Sequence, residues 1–289
     1  MFNIEIIIMF YPSYGYKYIW IMDKLLAERE RDITINLSHH YLQSTSSLSK
    51  FNFTFINVPG HRDFIKNMIT GTSQADAAVL VIASGVGEFE VGISKNGQTL
   101  EHVILAYTLG IKQLIFCINK IDDASVKYSK DRFEIIKKEV SKFLLKVGFK
   151  PKKIKFIPVS GVYGDNLIEI SKNTIWYDGP TLIEAFNELK PPKHSKDKPL
   201  RIPIDAVYRI GGIGTIPTGC VETGILKNGM FVSFVPNGIF RNNISINIKM
   251  NTNLHREVKT IEMYNRKLTN AFPGDIIGLN ISNVSLRDI

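Results

Sequence analysis

Residues 78–83 (AVLVIA) are apolar without interruption, the pattern of a parallel strand covered on both faces. Apolar runs also lie at 114–118 (LIFCI) and 155–159 (KFIPV), and 2–10 (FNIEIIIMF) reads as a buried strand that opens the domain. Helical patterns come between them. Leu100, Val103, Ile104 and Tyr107 recur at i, i+3, i+4 and i+7, with Gly110 placed to cap that helix. Phe133, Ile136, Val140, Phe143, Leu144 and Val147 make a second apolar stripe ended by Gly148, and Pro180 opens a short helix through Leu189. Alternating strands and helices predict a doubly wound α/β sheet with ligand loops at the carboxyl ends of its strands.

Polar loops fall at those ends. Asn119-Lys120-Ile121-Asp122 follows the run 114–118, Ser160-Gly161 follows 155–159, and Asn57-Val58-Pro59-Gly60-His61 closes a strand at 53–56. A strand ending in N-K-x-D, with a later one ending in S-G, is how one nucleotide-binding fold reads guanine. A carboxylate accepts from both the ring N–H and the exocyclic amine of guanine, and adenine offers no such pair of donors. Asp122 would therefore set base specificity, while its neighbour Asp123 reads as solvated and without a role. N-K-x-D alone arises by chance in chains rich in Asn and Lys; three loops in this order point to a GTPase-type domain.

The stretch GHRDFIKNMITGTSQADAAVLVIASGVGEFEVGISKNGQTLEHVILAYTLGIKQLIFCINKID (60–122) resembles eukaryotic translation elongation factor 1-alpha. So do KYIWIMDKLLAERERDITI (17–35) and KPLRIPIDAVYRIGGIGTIPTGCVETGILKNGM (198–230), and the similarity runs from about Lys17 onward. The resemblance implies a P-loop-GTPase-like sheet followed by a small β-barrel. It implies binding of GTP or GDP with Mg2+, and delivery of aminoacyl-tRNA to the ribosome in the cytoplasm. A guanine-nucleotide exchange factor is a further implied partner. By the same resemblance His61 orients the attacking water. Lys120 lays its stem over the nucleotide plane, Asn119 ties the base loops together, and Asp122, Ser160 and Gly161 complete the guanine site. Thr34 is the switch residue that reaches Mg2+, and Asn57 and Gly60 lie on the phosphate side.

The chain also departs from that family. P-loop GTPases carry G-x-x-x-x-G-K-[ST] after their first strand. This sequence has no Gly-Lys dipeptide, and Tyr11-Pro12-Ser13-Tyr14-Gly15-Tyr16 runs straight into the segment resembling a later helix. The first βα unit is therefore expected to be incomplete. Asn57 stands where the family has Asp, which removes a negative charge beside a divalent cation. Asp32 stands where the family has Gly, which restricts the backbone of the first switch. The phosphate half is depleted and the guanine half intact, so weak or no GTP hydrolysis is expected. Alternatives are a non-catalytic RNA- or ribosome-binding remnant, or an incomplete gene model that also lacks the family's third domain.

A formal charge of +9 and a pI of about 9.3 favour an anionic partner such as nucleic acid or the ribosome. Cys117 and Cys220 are expected to be buried, reduced thiols. The apolar start has no basic n-region and is too short to span a bilayer, so no membrane partner is expected. Residues 1–190 read as the GTP-binding-type domain, 191–199 (PPKHSKDKP) as a linker, and 200–289 as a β-barrel of short strands. Gly211-Gly212-Ile213-Gly214 reads as a barrel turn, and the Asn-rich 236–256 as a surface loop or extended hairpin.

Overall fold

The computed structural model describes residues 3–10, 25–31, 33–42, 50–94, 97–191, 195–234, 254–263 and 266–281. Expectations about residues 11–16, Asp32 and 236–253 lie outside these. The chain divides into two compact units, Met1–Pro191 and Pro192–Ile289.

The first unit is built on strands β1 (Asn3–Phe10), β2 (Ser38–Leu42), β3 (Asn52–Val58), β4 (Ala77–Ala83), β5 (Gln113–Asn119) and β6 (Lys155–Pro158). They form one sheet in the order β2-β3-β1-β4-β5-β6. The apolar opening run lies at its centre, with Ile7 registered on Ile56 of β3 and on Ala78 of β4, both parallel. Only the edge strand β2 is antiparallel, pairing with β3 so that His40 is registered on Phe55. β4 buries Ala77, Ala78, Val79, Leu80 and Ile82, residues of both parities, so both sheet faces are covered. On one face Ile6, Phe53, Val79, Cys117, Ile157 and Phe186 pack into a single core.

The helices are α1 (Leu26–Arg31), α2 (Ile65–Ser73), α3 (Glu88–Gly92), α4 (Gln98–Thr108), α5 (Lys130–Val147) and α6 (Leu182–Asn187). α5 follows its sequence pattern: Phe133, Ile136, Val140 and Leu144 are buried, and Gly148 (φ +117°) stops the helix by donating to Leu144 O. Gly110 (φ +90°) closes α4, its N–H going to Tyr107 O while Ile111 N–H reaches Ala106 O, a Schellman motif. The expected inner stripe of α4 is displaced, however. Thr99, His102, Val103 and Ala106 are buried, whereas Ile104 and Tyr107 are 48% and 46% exposed. His102 turns inward because it meets the Gly60 carbonyl, and Tyr107 packs edge-on against Phe149 instead. α6 begins later than Pro180, because Thr181 caps it in a reciprocal pair of hydrogen bonds with Glu184.

The second unit is antiparallel. Its strands are β7 (Ile204–Ile210), β8 (Gly214–Cys220), β9 (Leu226–Lys227), β10 (Phe231–Phe234), β11 (Leu254–Met263), β12 (Arg266–Leu268), β13 (Asn270–Ala271) and β14 (Ile276–Ile281). β10-β11-β14-β8-β7 form a curled sheet, β12 pairs with β11, and β13 pairs with β9. Irregularities at Val258/Thr260 and Ile204/Ala206 strengthen the curl. Alternation along β14 sends Ile277, Leu279 and Ile281 into a core with Val221, Leu226, Val258 and Ile261. The Gly211–Gly214 segment is the hairpin turn from β7 to β8. Cys117 is buried, but Cys220 is only partly so, and neither forms a disulfide. Among the described residues no helix is long and apolar enough to cross a membrane.

Candidate nucleotide site

β1, β3, β4, β5 and β6 are parallel, so their carboxyl ends share one edge of the sheet. There Ala83 is registered with Asn119, and Ile118 with Pro158. Ser84 N–H donates to Asn119 O at 2.9 Å, and Ser84 Oγ–H to Lys120 O at 2.8 Å. These bonds hold Lys120 in the left-handed region (φ 60°), which costs a non-glycine residue roughly 1–2 kcal/mol. Fully buried Ile121 anchors the next position. Asn119 Oδ1 accepts from Gly161 N at 2.9 Å, which ties loop 119–122 to loop 160–161. Ser160 is completely buried, and its Oγ accepts from Tyr163 N at 3.2 Å.

Asp122 and Asp123 lie side by side and behave differently. Asp123, expected to be solvated, accepts from Ser125 N and Ser125 Oγ at 2.8 and 2.6 Å, and these bonds hold its carboxyl below the usual range. Asp122 Oδ1 is buried with no hydrogen-bond partner. A buried acceptor without a donor costs about 1–3 kcal/mol, more when charged. Among the side chains of 119–122 and 160–161 it is the one buried polar atom without a partner, an acceptor open to a ligand's donor.

Residues with no local sequence signal hold the loop from behind. Lys120 Nζ meets both Glu88 oxygens, at 2.8 and 3.0 Å. Arg132 of α5 donates to Ser84 O at 2.8 Å and Gly85 O at 3.0 Å, pairs with Glu90 at 2.8 Å, and lies 5.4 Å from the Phe89 ring centroid. Its hydrogen bond holds the Glu90 carboxyl down at about 2.

On the opposite side, Asn57 is buried with Oδ1 unpartnered, and Gly60 O lies 3.2 Å from His102 Nε2. Burial lowers the His102 pKa, so its ring is neutral and Nε2–H is the donor. Arg62 meets both oxygens of Glu101, at 2.9 and 2.6 Å. His61 engages its own turn: Nδ1 accepts from Asp63 N at 3.2 Å, and the ring lies 6.1 Å from Phe64. Thr34 sits in the segment between α1 and β2, pinned by a buried carboxylate. Glu28, which reads in sequence as part of a charged helix end, accepts from Leu25, Ile35 and Asn36 N–H groups, each at 2.9 Å. Asn67 of α2 donates to Ile35 O at 2.8 Å.

Residues 11–192 match the family model described as the elongation factor Tu GTP binding domain. The chain belongs to this family. Over 275 residues it is 57% identical to elongation factor 1-alpha of Euglena gracilis, covering 95% of the chain and 58% of that protein. The chain thus spans somewhat more than half the length of that relative. The bacterial selenocysteine-specific elongation factor EF-Sec is 25% identical with a TM-score of 0.72, over 100% of this chain and 44% of that one. The GTP-bound GTPase-like domain of S. cerevisiae Ski7 shares the fold at 18% identity and a TM-score of 0.73, over 99% and 72%.

A buried acceptor such as Asp122 Oδ1 fits a ligand that carries N–H donors, as guanine does. The Asn57 side does not fit Mg2+ equally well. At the carboxyl end of β3, Asn57 presents a neutral amide, and a small divalent ion selects carboxylate oxygens.

Proposed function

We propose that the chain binds guanine nucleotides and acts as an elongation-factor-1-alpha-type protein that brings aminoacyl-tRNA to the ribosome in the cytoplasm. The unpartnered Asp122 Oδ1, in a loop tied to its neighbours through Asn119 and Lys120, is the observation that carries this reading. Asp122 accepts from N1–H and the exocyclic amine of guanine. The Lys120 stem covers the base plane, with its ammonium held by Glu88, and Asn119 locks the two base loops together. His61 is the residue that would orient the attacking water, and Thr34 and Gly60 would line the phosphate side. Hydrolysis is slow, because the Gly-Lys phosphate loop is missing from the sequence and Asn57 replaces a carboxylate. The charge of +9 suits tRNA and ribosomal RNA, and an exchange factor for the bound nucleotide follows from the same reading. Relatives named elongation factor 1-alpha weigh against reading the chain as a mere RNA-binding remnant.

The test is displacement of a fluorescent GDP analogue from the purified chain. GDP and GTP are expected to displace it and ATP is not. Equal displacement by ATP would sink the proposal.

A further inference from the structure

We infer that the site takes the guanine nucleoside as its ligand, with phosphates and Mg2+ adding little to affinity. The inference rests on the guanine-binding reading above and narrows it. Affinity needs built recognition elements, and these are unevenly placed. On the base side, Asp122 Oδ1 is buried and unpartnered, and Lys120, Asn119, Ser84 and Gly161 form a closed hydrogen-bond set that fixes it. That acceptor is preorganised, so little ordering cost remains when guanine arrives.

Among the described residues the phosphate side has no equivalent elements. Phosphates are held by oriented backbone N–H groups of a Gly-rich loop, a Lys charge and a bridging cation. The sequence between β1 and α1 contains no G-x-x-x-x-G-K-[ST]. Among the described residues, Arg62, on the side of Asn57 and Gly60, already has Glu101 as its carboxylate partner, and behind the base loop Lys120 pairs with Glu88 and Arg132 of α5 with Glu90. A phosphate approaching any of these cations must compete with a Glu at 2.6–2.8 Å. Asn57 supplies no negative charge for Mg2+. Each added phosphate therefore brings charge to a region whose named cation, Arg62, is already paired with a carboxylate.

The experiment is equilibrium competition on the whole chain, its fold verified by circular dichroism, against a fluorescent ribose ester of guanosine. Guanosine, GMP, GDP, GTP, inosine and adenosine are each titrated with and without Mg2+. The guanine ligands are expected to bind within about tenfold of one another, unchanged by Mg2+. Inosine, which lacks the exocyclic amine, should bind about ten- to a hundredfold more weakly, and adenosine more weakly still. Asp122→Ala should weaken guanosine and GTP by the same factor. GTP binding at least about a hundredfold tighter than guanosine, strengthened by Mg2+ or surviving Asp122→Ala, would overturn the inference while leaving guanine-nucleotide binding intact. Equal binding of adenosine and guanosine would overturn both.

Discussion

The buried Oδ1 of Asp122 and the buried ring of His102 have opposite consequences. Asp122 has an acceptor oxygen waiting for donors, so its chemistry is exchangeable. Asp122→Asn puts an amide N–H where the exocyclic amine of guanine would donate, and xanthine carries a carbonyl at that position. The variant is expected to lose guanosine binding by about a hundredfold and to prefer xanthosine, read by the same competition assay. His102 has its partner, Gly60 O, and burial lowers its pKa below the ordinary 6.5. The unfolded chain therefore takes up the proton first as pH falls. Its contribution is complete above about pH 6.5 and is lost as pH drops through the lowered native value. Melting temperature should fall between about pH 7 and pH 5 in the wild type, and less steeply in His102→Gln, which keeps an N–H donor but does not titrate.

The elements owe their ends to specific local contacts. Gly148 terminates α5 at φ +117°, and an added Cβ would press into the Tyr107 ring. Gly148→Ala is expected to cost about 2 kcal/mol or more, from left-handed strain plus that overlap, measurable by urea unfolding. Thr181→Ala removes the cap of α6 and should cost about 1 kcal/mol in the same experiment. α4 shows why periodicity alone misplaces a face. Its inner side is set by what lies beneath it, and His102 and Thr99 displace the apolar pair Ile104 and Tyr107. The Glu90–Arg132 link, with the Glu90 carboxyl at about 2, keeps its contribution above the ordinary carboxylate range and loses it only as pH falls towards that value.

For the molecule as a whole, the first unit's core encloses Cys117, and burial pushes its thiol up to about 12. Alkylation of Cys117, followed by mass spectrometry across a urea series, should therefore track unfolding of that unit, while the half-buried Cys220 reacts at lower denaturant. Modification of Cys117 in the native protein would show that the core opens locally. The strand content was legible in the chain: 78–83 and 114–118 are apolar without alternation, which only a doubly covered strand requires, and they became β4 and β5. The loop 119–122 was legible too, because N-K-x-D places its turn and polar side chains within four neighbouring residues. The supports of that loop were not. Glu88 lies 32 residues from Lys120, and Arg132 lies 48 from Ser84, so no window of sequence contains both partners. Sequence alone determined the parallel strands, the N-K-x-D loop and the lack of a Gly-Lys phosphate motif, because hydrophobic burial and local loop chemistry are written in adjacent residues. Tertiary structure alone decided that Asp122 is left unpartnered while Asp123 is not, and that the neighbouring cations are already neutralised. Those outcomes depend on which distant side chains the folded chain brings within a hydrogen bond's reach.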